Sequence, residues 1–198
     1  LARAAALLRA ADGLLIGAGA GIGVDSGLPD FRGDHGFWRA HPPLAAAGIR
    51  FVEIANPRSF DMHPALAWGF YGHRPALYRN TVPHAGFAVL RDIGARLPHG
   101  AFVLTSNVDG QFQRAGFGDE ALVECHGSIH HLQCTRPCGD AIWPAGAVDP
   151  VVDPATCLMA PPLPRCPRCG ALARPKILMF GDGLHFSLDE LAHVYPEE

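Results

Sequence analysis

The stretch Leu14 to Gly33, LLIGAGAGIGVDSGLPDFRG, constrains this chain more than any other. A short apolar run, Leu14 to Ile16, leads directly into Gly17, Gly19, Gly21 and Gly23. Glycines at such a junction let the backbone turn sharply, take up positive φ and approach a ligand with no Cβ in the way. A strand, a glycine turn and a helix N-terminus together form a phosphate site, because free N–H groups and the helix dipole both favour an anion. The spacing differs from the plain G-x-G-x-x-G of dinucleotide folds, so the turn alone is a weak signal. The tail Gly27-Leu28-Pro29-Asp30-Phe31-Arg32-Gly33 strengthens it. Pro29 must leave the helix, which puts an aromatic and an arginine on a loop able to fold back over a bound cofactor. The structural alternative makes Phe31 a core residue and Arg32 a surface charge.

Two further strand ends carry polar clusters. Ala101 to Leu104 reads as a strand that ends in Thr105-Ser106-Asn107-Val108-Asp109-Gly110. Ligands in open α/β sheets bind at the carboxyl ends of strands, so this cluster and the glycine turn should face each other across one crevice. An amide and a carboxylate there can hydrogen-bond a carboxamide; alternatively, Asn107 and Asp109 cap the helix that follows. Ala121 to Ser128 is a third short strand, ending at His126, whose imidazole can accept a proton near neutrality. Cys125 raises the possibility of a thiol–imidazole pair, but strand neighbours point to opposite faces, so it is read as buried and inert.

Residues 34–80 read as an insertion of short helices, with His41-Pro42, Asn56-Pro57 and His63-Pro64 as punctuation and helical pieces at Pro64 to Tyr71 and Arg74 to Arg79. Tyr71 and Arg74, at i and i+3, share a helix face where a phenol and a guanidinium can hold a carboxylate. The plain alternative is a packed aromatic beside a solvated arginine. His84 to Arg96 reads as an amphipathic helix with Phe87, Val89, Leu90 and Ile93 near one face, stopped by Pro98-His99-Gly100.

Cys134-x3-Cys138 and Cys166-x2-Cys169 are two close pairs, the spacing of a closed, structural tetrahedral zinc site built from two knuckles. A disulfide reading fits poorly in a reducing compartment. Cys157, His130 and His131 are possible substitute ligands without the paired spacing. The stretch from Gly139 to Arg165 is acidic and proline-rich, which argues against a DNA-reading finger. Leu172 to Asp182 then returns to a strand.

These segments closely resemble the sirtuins, the NAD-dependent protein lysine deacylases. The glycine stretch matches G-A-G-x-S-x-x-S-G-I-P-D-F-R, with Gly23 where a serine is usual. Residues 105–116 match T-Q-N-x-D-x-L-H-x-x-A-G, with Ser106 for glutamine and Phe112 for histidine. Glu124 to Gly127 matches E-x-H-G, and Arg174 to Asp182 matches R-P-x-V-V-x-F-G-E, with Asp182 for glutamate. The resemblance implies an α/β, Rossmann-like, doubly wound parallel sheet with its second half incomplete, a zinc ribbon and a helical insertion. It implies NAD as cofactor, structural Zn2+, acyl-lysine proteins as partners, and release of nicotinamide and O-acyl-ADP-ribose. Cofactor contacts would be Gly19, Ala20, Gly21, Asp30, Phe31, Arg32, Ser106, Asn107, Asp109 and His126, with His126, Asn107 and Asp109 catalytic. Tyr71 and Arg74 match the Tyr-x-x-Arg pair of sirtuins that prefer succinyl- or malonyl-lysine. Residues 1–133 and 171–198 would form the NAD-binding domain, with the insertion and cofactor loop at 34–80, and residues 134–170 the zinc module. Alternatives on the same fold are an NAD hydrolase or ADP-ribosyltransferase, and a non-catalytic NAD-binding module.

Composition bounds the rest. A chain of 198 residues buries a core in one or two domains, and a net charge of −3 with scattered basic residues argues against nucleic acid. No run is long and apolar enough for a membrane span. LARAAALLRAA reads as an amphipathic first helix, not a signal peptide, and a cytoplasmic location is expected. The chain has no initiator methionine and ends in a helix beginning at Leu184, so a longer parent and an unpaired sheet edge are expected.

Overall fold

The computed structural model describes residues 1–30, 33–136 and 138–182, so the expectations for Phe31, Arg32 and the helix from Leu184 lie outside the described residues. Helix α1 (Ala2–Ala10) forms but buries none of its residues, and Leu7 and Leu8 are exposed. Its apolar side is uncovered among the described residues, and the alanine-rich sequence favours the helix locally.

Strand β1 (Leu14–Ala18) runs into a 3-10 helix, Ala20–Ser26. Six short helices follow: α2 (Gly33–Ala40), α3 (Pro42–Ala46), α4 (Phe51–Ile54), α5 (Pro57–Met62), α6 (Pro64–Gly72) and α7 (Arg74–Asn80). Proline occupies the first turn of α3, α5, α6 and α7. Its missing N–H costs nothing there, so the prolines that punctuate the sequence open helices. Helix α8 (Ala85–Gly94) follows; it buries Phe87 and half-buries Leu90 and Ile93, while Val89, expected on that face, is exposed.

Strand β2 (Ala101–Thr105), helix α9 (Gln111–Arg114) and strand β3 (Leu122–Glu124) complete a parallel sheet in the order β1-β2-β3, with Leu14 opposite Ala101 and Val103 opposite Leu122. Side chains alternate across it. Ile16 and Val103 face a core of Phe87, Phe112, Phe117 and Leu122. On neighbouring positions Leu15 is 73% and Leu104 44% exposed.

The remaining strands are antiparallel. Strand β4 (Gly127–Cys134) lies between β5 (Ile142–Pro144) and the last described strand, Ala173–Ile177, while β6 (Val152–Asp153) and β7 (Leu158–Met159) pair separately. Ala173–Ile177, here β8, is buried throughout. A second core joins this sheet to the insertion: Trp68 and Phe70 of α6 pack with Ile129 and Leu132 of β4, Met159 of β7 and Ala173 of β8. The Trp68 indole N–H donates to the Ala173 carbonyl at 2.9 Å. No helix among the described residues is long and apolar enough to cross a membrane.

Candidate active site

The chain changes sheets between β3 and β4, and His126 sits on the connecting turn. Two backbone bonds fix that turn: the Cys125 N–H donates to Thr105 O and the Leu178 N–H donates to His126 O, both at 2.9 Å. The His126 side chain is exposed, at the mouth of a cavity of about 420 Å3. Cys125 is half-buried, not buried, because β3 has ended at Glu124 and strand alternation no longer governs it.

The cavity's polar wall draws on all three ends of the parallel strands: Ala20 and Asp30 after β1, Ser106, Asn107 and Asp109 after β2, and His126 after β3. The first two clusters are stitched together. Ser106 N–H donates to Ala18 O at 3.1 Å, and the Asn107 side-chain amide donates to Gly19 O at 3.1 Å. Thr105 Oγ1 accepts from the Asn107 N–H at 3.1 Å. Gly19 and Gly21 belong to the same turn. Gly19 is extended at φ −138°, and among the described residues of the stretch positive φ occurs only at Gly27, 87°, where it ends the 3-10 helix. Of the glycines before it, Gly17 has open space and Gly19 only ordinary contact with Ser106, so of these tight space is confined to Gly23. At Gly23 the space of the family's serine is taken by Leu28, whose Cδ1 would lie 3.2 Å from an added Cβ.

Asp109 is buried, and its Oδ1 accepts from the Gln111 N–H at 2.9 Å, so it does cap the start of α9 while lining the cavity. Burial raises its carboxyl above the usual range, opposed by that backbone bond and by His130. Glu124, on β3, is pushed up to about 7 by burial despite a 3.0 Å bond from the Gln113 amide. Phe112 explains its departure from histidine: the position faces the sheet core, 4.9 Å from Phe87 and 5.3 Å from Phe117 between ring centroids.

The opposite wall is apolar, with Phe51, Ile177, Met179 and Phe180, and it also contains Tyr71, Arg74 and Tyr78. Tyr71 and Arg74 do not share one continuous helix, because α6 ends at Gly72 and α7 begins at Arg74. They meet in the cavity all the same. The buried Arg74 guanidinium lies 4.0 Å from the Phe70 ring centroid and 5.3 Å from that of Tyr71. Burial pushes the Tyr71 phenol up to about 12, with Arg74 acting in the opposite sense.

Away from the cavity, the sulfurs of Cys134, Cys138, Cys166 and Cys169 all lie within 4.8 Å of one another. Cys134 Sγ is 3.6 Å from Cys169 Sγ, and Cys138 Sγ is 3.7 Å from Cys166 Sγ. Four sulfurs about 2.3 Å from a tetrahedral zinc are spaced by about 3.8 Å, so the cluster fits that ion. The Arg136 N–H donates to Cys134 Sγ at 3.3 Å, and none of the six cysteines is in a disulfide. The substitute ligands lie elsewhere: Cys157 is buried against Gly69, His130 Nε2 lies 3.0 Å from Asp109 O, and His131 is exposed.

Sequence reasoning missed the tether of the loop after β8. Arg174 Nη2 donates to Asp182 Oδ1 and Oδ2 at 2.8 and 2.9 Å, and the pair is 1% and 0% exposed. Both residues stood in a recognised segment, but only the folded loop brings them together.

A family model described as the Sir2 family matches residues 19–197. The chain belongs to the Sir2 family. This Sir2 chain is 32% identical over 177 residues to an NAD-dependent protein deacylase of Aquifex aeolicus (strain VF5), covering 89% of itself and 64% of that protein. It is 34% identical over 187 residues to the mitochondrial NAD-dependent protein deacylase sirtuin-5 of Canis lupus familiaris, covering 86% and 56%. Among solved structures it matches a Sir2 homologue in complex with NAD, at 30% identity and TM-score 0.65 over 85% of this chain and 57% of that one. An ADP-ribose complex of a mutant Sir2 homologue aligns at 28% identity and TM-score 0.67, over 89% and 62%. The Sir2 chain thus spans 56–64% of the length of the two curated relatives.

Proposed function

We propose that this chain carries the reaction side of an NAD-dependent protein lysine deacylase, acting on acyl-lysine proteins in a cytoplasm where its cysteines stay reduced. The observation that carries the reading is the gathering of His126, Ser106, Asn107 and Asp109 from separate strand ends around one cavity that also holds Tyr71 and Arg74. The residues fit NAD: a glycine turn tied to Asn107 offers close backbone approach, and an amide beside a carboxylate suits a carboxamide and a ribose. When bound, NAD supplies the ribose carbon to which the acyl oxygen adds as nicotinamide leaves.

This chain's own residues then have separable tasks. Gly19, Ala20, Gly21 and Asp30, with Phe31 and Arg32, would border the cofactor. Ser106, Asn107 and Asp109 would orient the nicotinamide ribose, and His126, exposed at the mouth, would take a proton from a ribose hydroxyl. Residues 1–133 and 171–198 would act as the cofactor-binding part and residues 134–170 as the zinc-bearing part. The acyl end would enter the apolar wall, where Arg74 and Tyr71 can hold an acidic acyl chain.

Nicotinamide release from NAD, measured with and without acetyl- and succinyl-lysine peptides, tests this. Release should require a peptide; release without one would replace the reading with an NAD hydrolase. Arg74→Met should cut succinyl-lysine turnover about 10- to 100-fold, the worth of a charge-assisted bond, while sparing acetyl-lysine. Equal loss of both would remove the acidic-acyl assignment.

A further inference from the structure

His84 takes no part in the cavity, yet three of its polar atoms are engaged. Its ring Nδ1 accepts from the Gly86 N–H at 3.0 Å and caps α8. Its ring Nε2 lies 3.0 Å from Ile22 O, and its backbone N–H donates to Ser26 Oγ at 2.9 Å. The last two partners both belong to the 3-10 helix Ala20–Ser26 that follows the glycine turn. The ring also packs against Phe87, with centroids 5.0 Å apart, and its Cε1 fills the space a Cβ on Gly86 would take.

The bonds fix the tautomer. A nitrogen that accepts from an amide N–H carries no proton, and a nitrogen facing a carbonyl oxygen must carry one. The ring therefore carries its proton on Nε2, and it clamps two elements at once. The clamped helix needs such support. A 3-10 helix has poor hydrogen-bond geometry and rarely runs beyond three or four residues, whereas this one runs for seven. Its glycines offer no side chains to anchor it. The turn is held from β2 through Asn107 and Gly19, and the helix is held from α8 through His84.

We propose that His84 is a positioning residue for the cofactor turn: its Nε2–H and backbone N–H set where Ala20–Ser26 sits against α8, and so where Gly19 to Gly21 meet NAD. This rests on the reading of those glycines as cofactor contacts, and the experiment separates the two.

Two substitutions in the full chain divide the ring's tasks. Asparagine is among the best N-caps, so His84→Asn keeps the bond from Gly86 but is too short to reach Ile22. His84→Gln extends an amide N–H towards Ile22 and gives up the cap. Melting temperature, amide hydrogen exchange over residues 20–26 and NAD affinity by calorimetry are compared with the parent chain. His84→Asn should melt near the parent, exchange faster over 20–26 and bind NAD about 3- to 10-fold more weakly, the worth of one net hydrogen bond. His84→Gln should melt lower yet bind closer to the parent. A merely structural histidine would make affinity follow melting temperature across both variants, and that result overturns the proposal. So does unchanged exchange over 20–26 in His84→Asn, or a ring whose 15N signals show the proton on Nδ1. If the parent chain binds no NAD, the cofactor reading fails by itself, and the exchange arm still decides whether His84 holds the helix.

Discussion

Glu124 is a carboxyl kept largely out of water, two residues before His126. Burial raises it from an ordinary 4.5 to about 7, helped by the nearby Asp109 charge and opposed by the Gln113 amide. A raised folded-state value means that the folded chain binds the extra proton between pH 4.5 and 7. The stability this contributes is complete below 4.5 and is lost as the pH rises through about 7. Glu124→Gln should flatten the stability profile over that window and leave the variant about 1–3 kcal/mol more stable than the parent at pH 8. Urea midpoints measured from pH 4.5 to 8 check this; an unchanged slope would refute the assignment. His41 has the opposite sign. Burial, then Arg74 and His73, lower it to about 3, so its contribution is lost as the pH falls from 6.5 towards 3, and with His73, lowered by burial and by Arg74, it adds to the acid-side slope remaining in the variant. The sequence showed Glu124 only as a letter in E-x-H-G, since nothing local reveals its burial. His84 was less visible still, because its partners Ser26 and Ile22 lie 58 and 62 residues away. The vacancy at Gly23 was visible, but that Leu28 fills it was not.

At the scale of elements, the strand after the cysteines was legible from its apolar run, whereas its partner was not. Strand β8 pairs antiparallel with β4, with Gly127 opposite Ile177 and Cys134 opposite Ala173, a pairing that depends on contacts across the zinc segment. The short helices of residues 34–80 were legible because proline marks their starts locally. The first helix was legible as a helix from its alanine-rich, amphipathic pattern, and among the described residues nothing buries it. The loop that carries Met179 and Phe180 to the cavity is held by the Arg174–Asp182 pair, by the Met179 N–H donating to Asp182 Oδ2 at 3.2 Å, and by Gln133, whose amide oxygen, once the amide is turned, accepts from Arg174 Nε at 2.8 Å. Removing one member of a buried pair strands the other charge. Asp182→Ala should therefore cost about 3–5 kcal/mol in urea unfolding, and Asp182→Glu much less, because a carboxylate remains. A loss below about 1 kcal/mol for the alanine variant would mean that water reaches Arg174 and that the loop is held by its apolar contacts instead.

The described residues form two cores, and the four-cysteine cluster adjoins one of them through Cys134, which pairs with the core residue Ala173. Phe87, Val103 and Phe112 pack the parallel sheet, while Trp68, Leu132, Met159 and Ala173 join the insertion to the antiparallel strands. The four-cysteine spacing made the cluster legible, but its connection to the insertion was not, because Trp68 reaches Ala173 across 105 residues. Cys134 ends β4 opposite Ala173 of β8, so the cluster closes the end of the pairing to which Trp68 is bonded. Without the ion, four thiols gathered within 4.8 Å have little to hold them, and the free energy of metal binding is lost from folding. Chelating the metal should therefore loosen β4, β8 and α6 first. Their amides should lose exchange protection and the near-ultraviolet signal of buried Trp68 should fade, while β1 and β2 keep protection through Ile16 and Val103. Hydrogen exchange followed by mass spectrometry, before and after chelation, reads each segment separately. Simultaneous loss across both sheets would show a single cooperative unit, with the bond of Asn107 to Gly19 and the turn at His126 strong enough to couple the cores. Loss confined to β4, β8 and α6 would place His126 on the boundary between a metal-dependent half and a metal-independent one. Zinc would then set the position of the proposed base through the backbone bond from Leu178 to His126, not through any contact with the cavity.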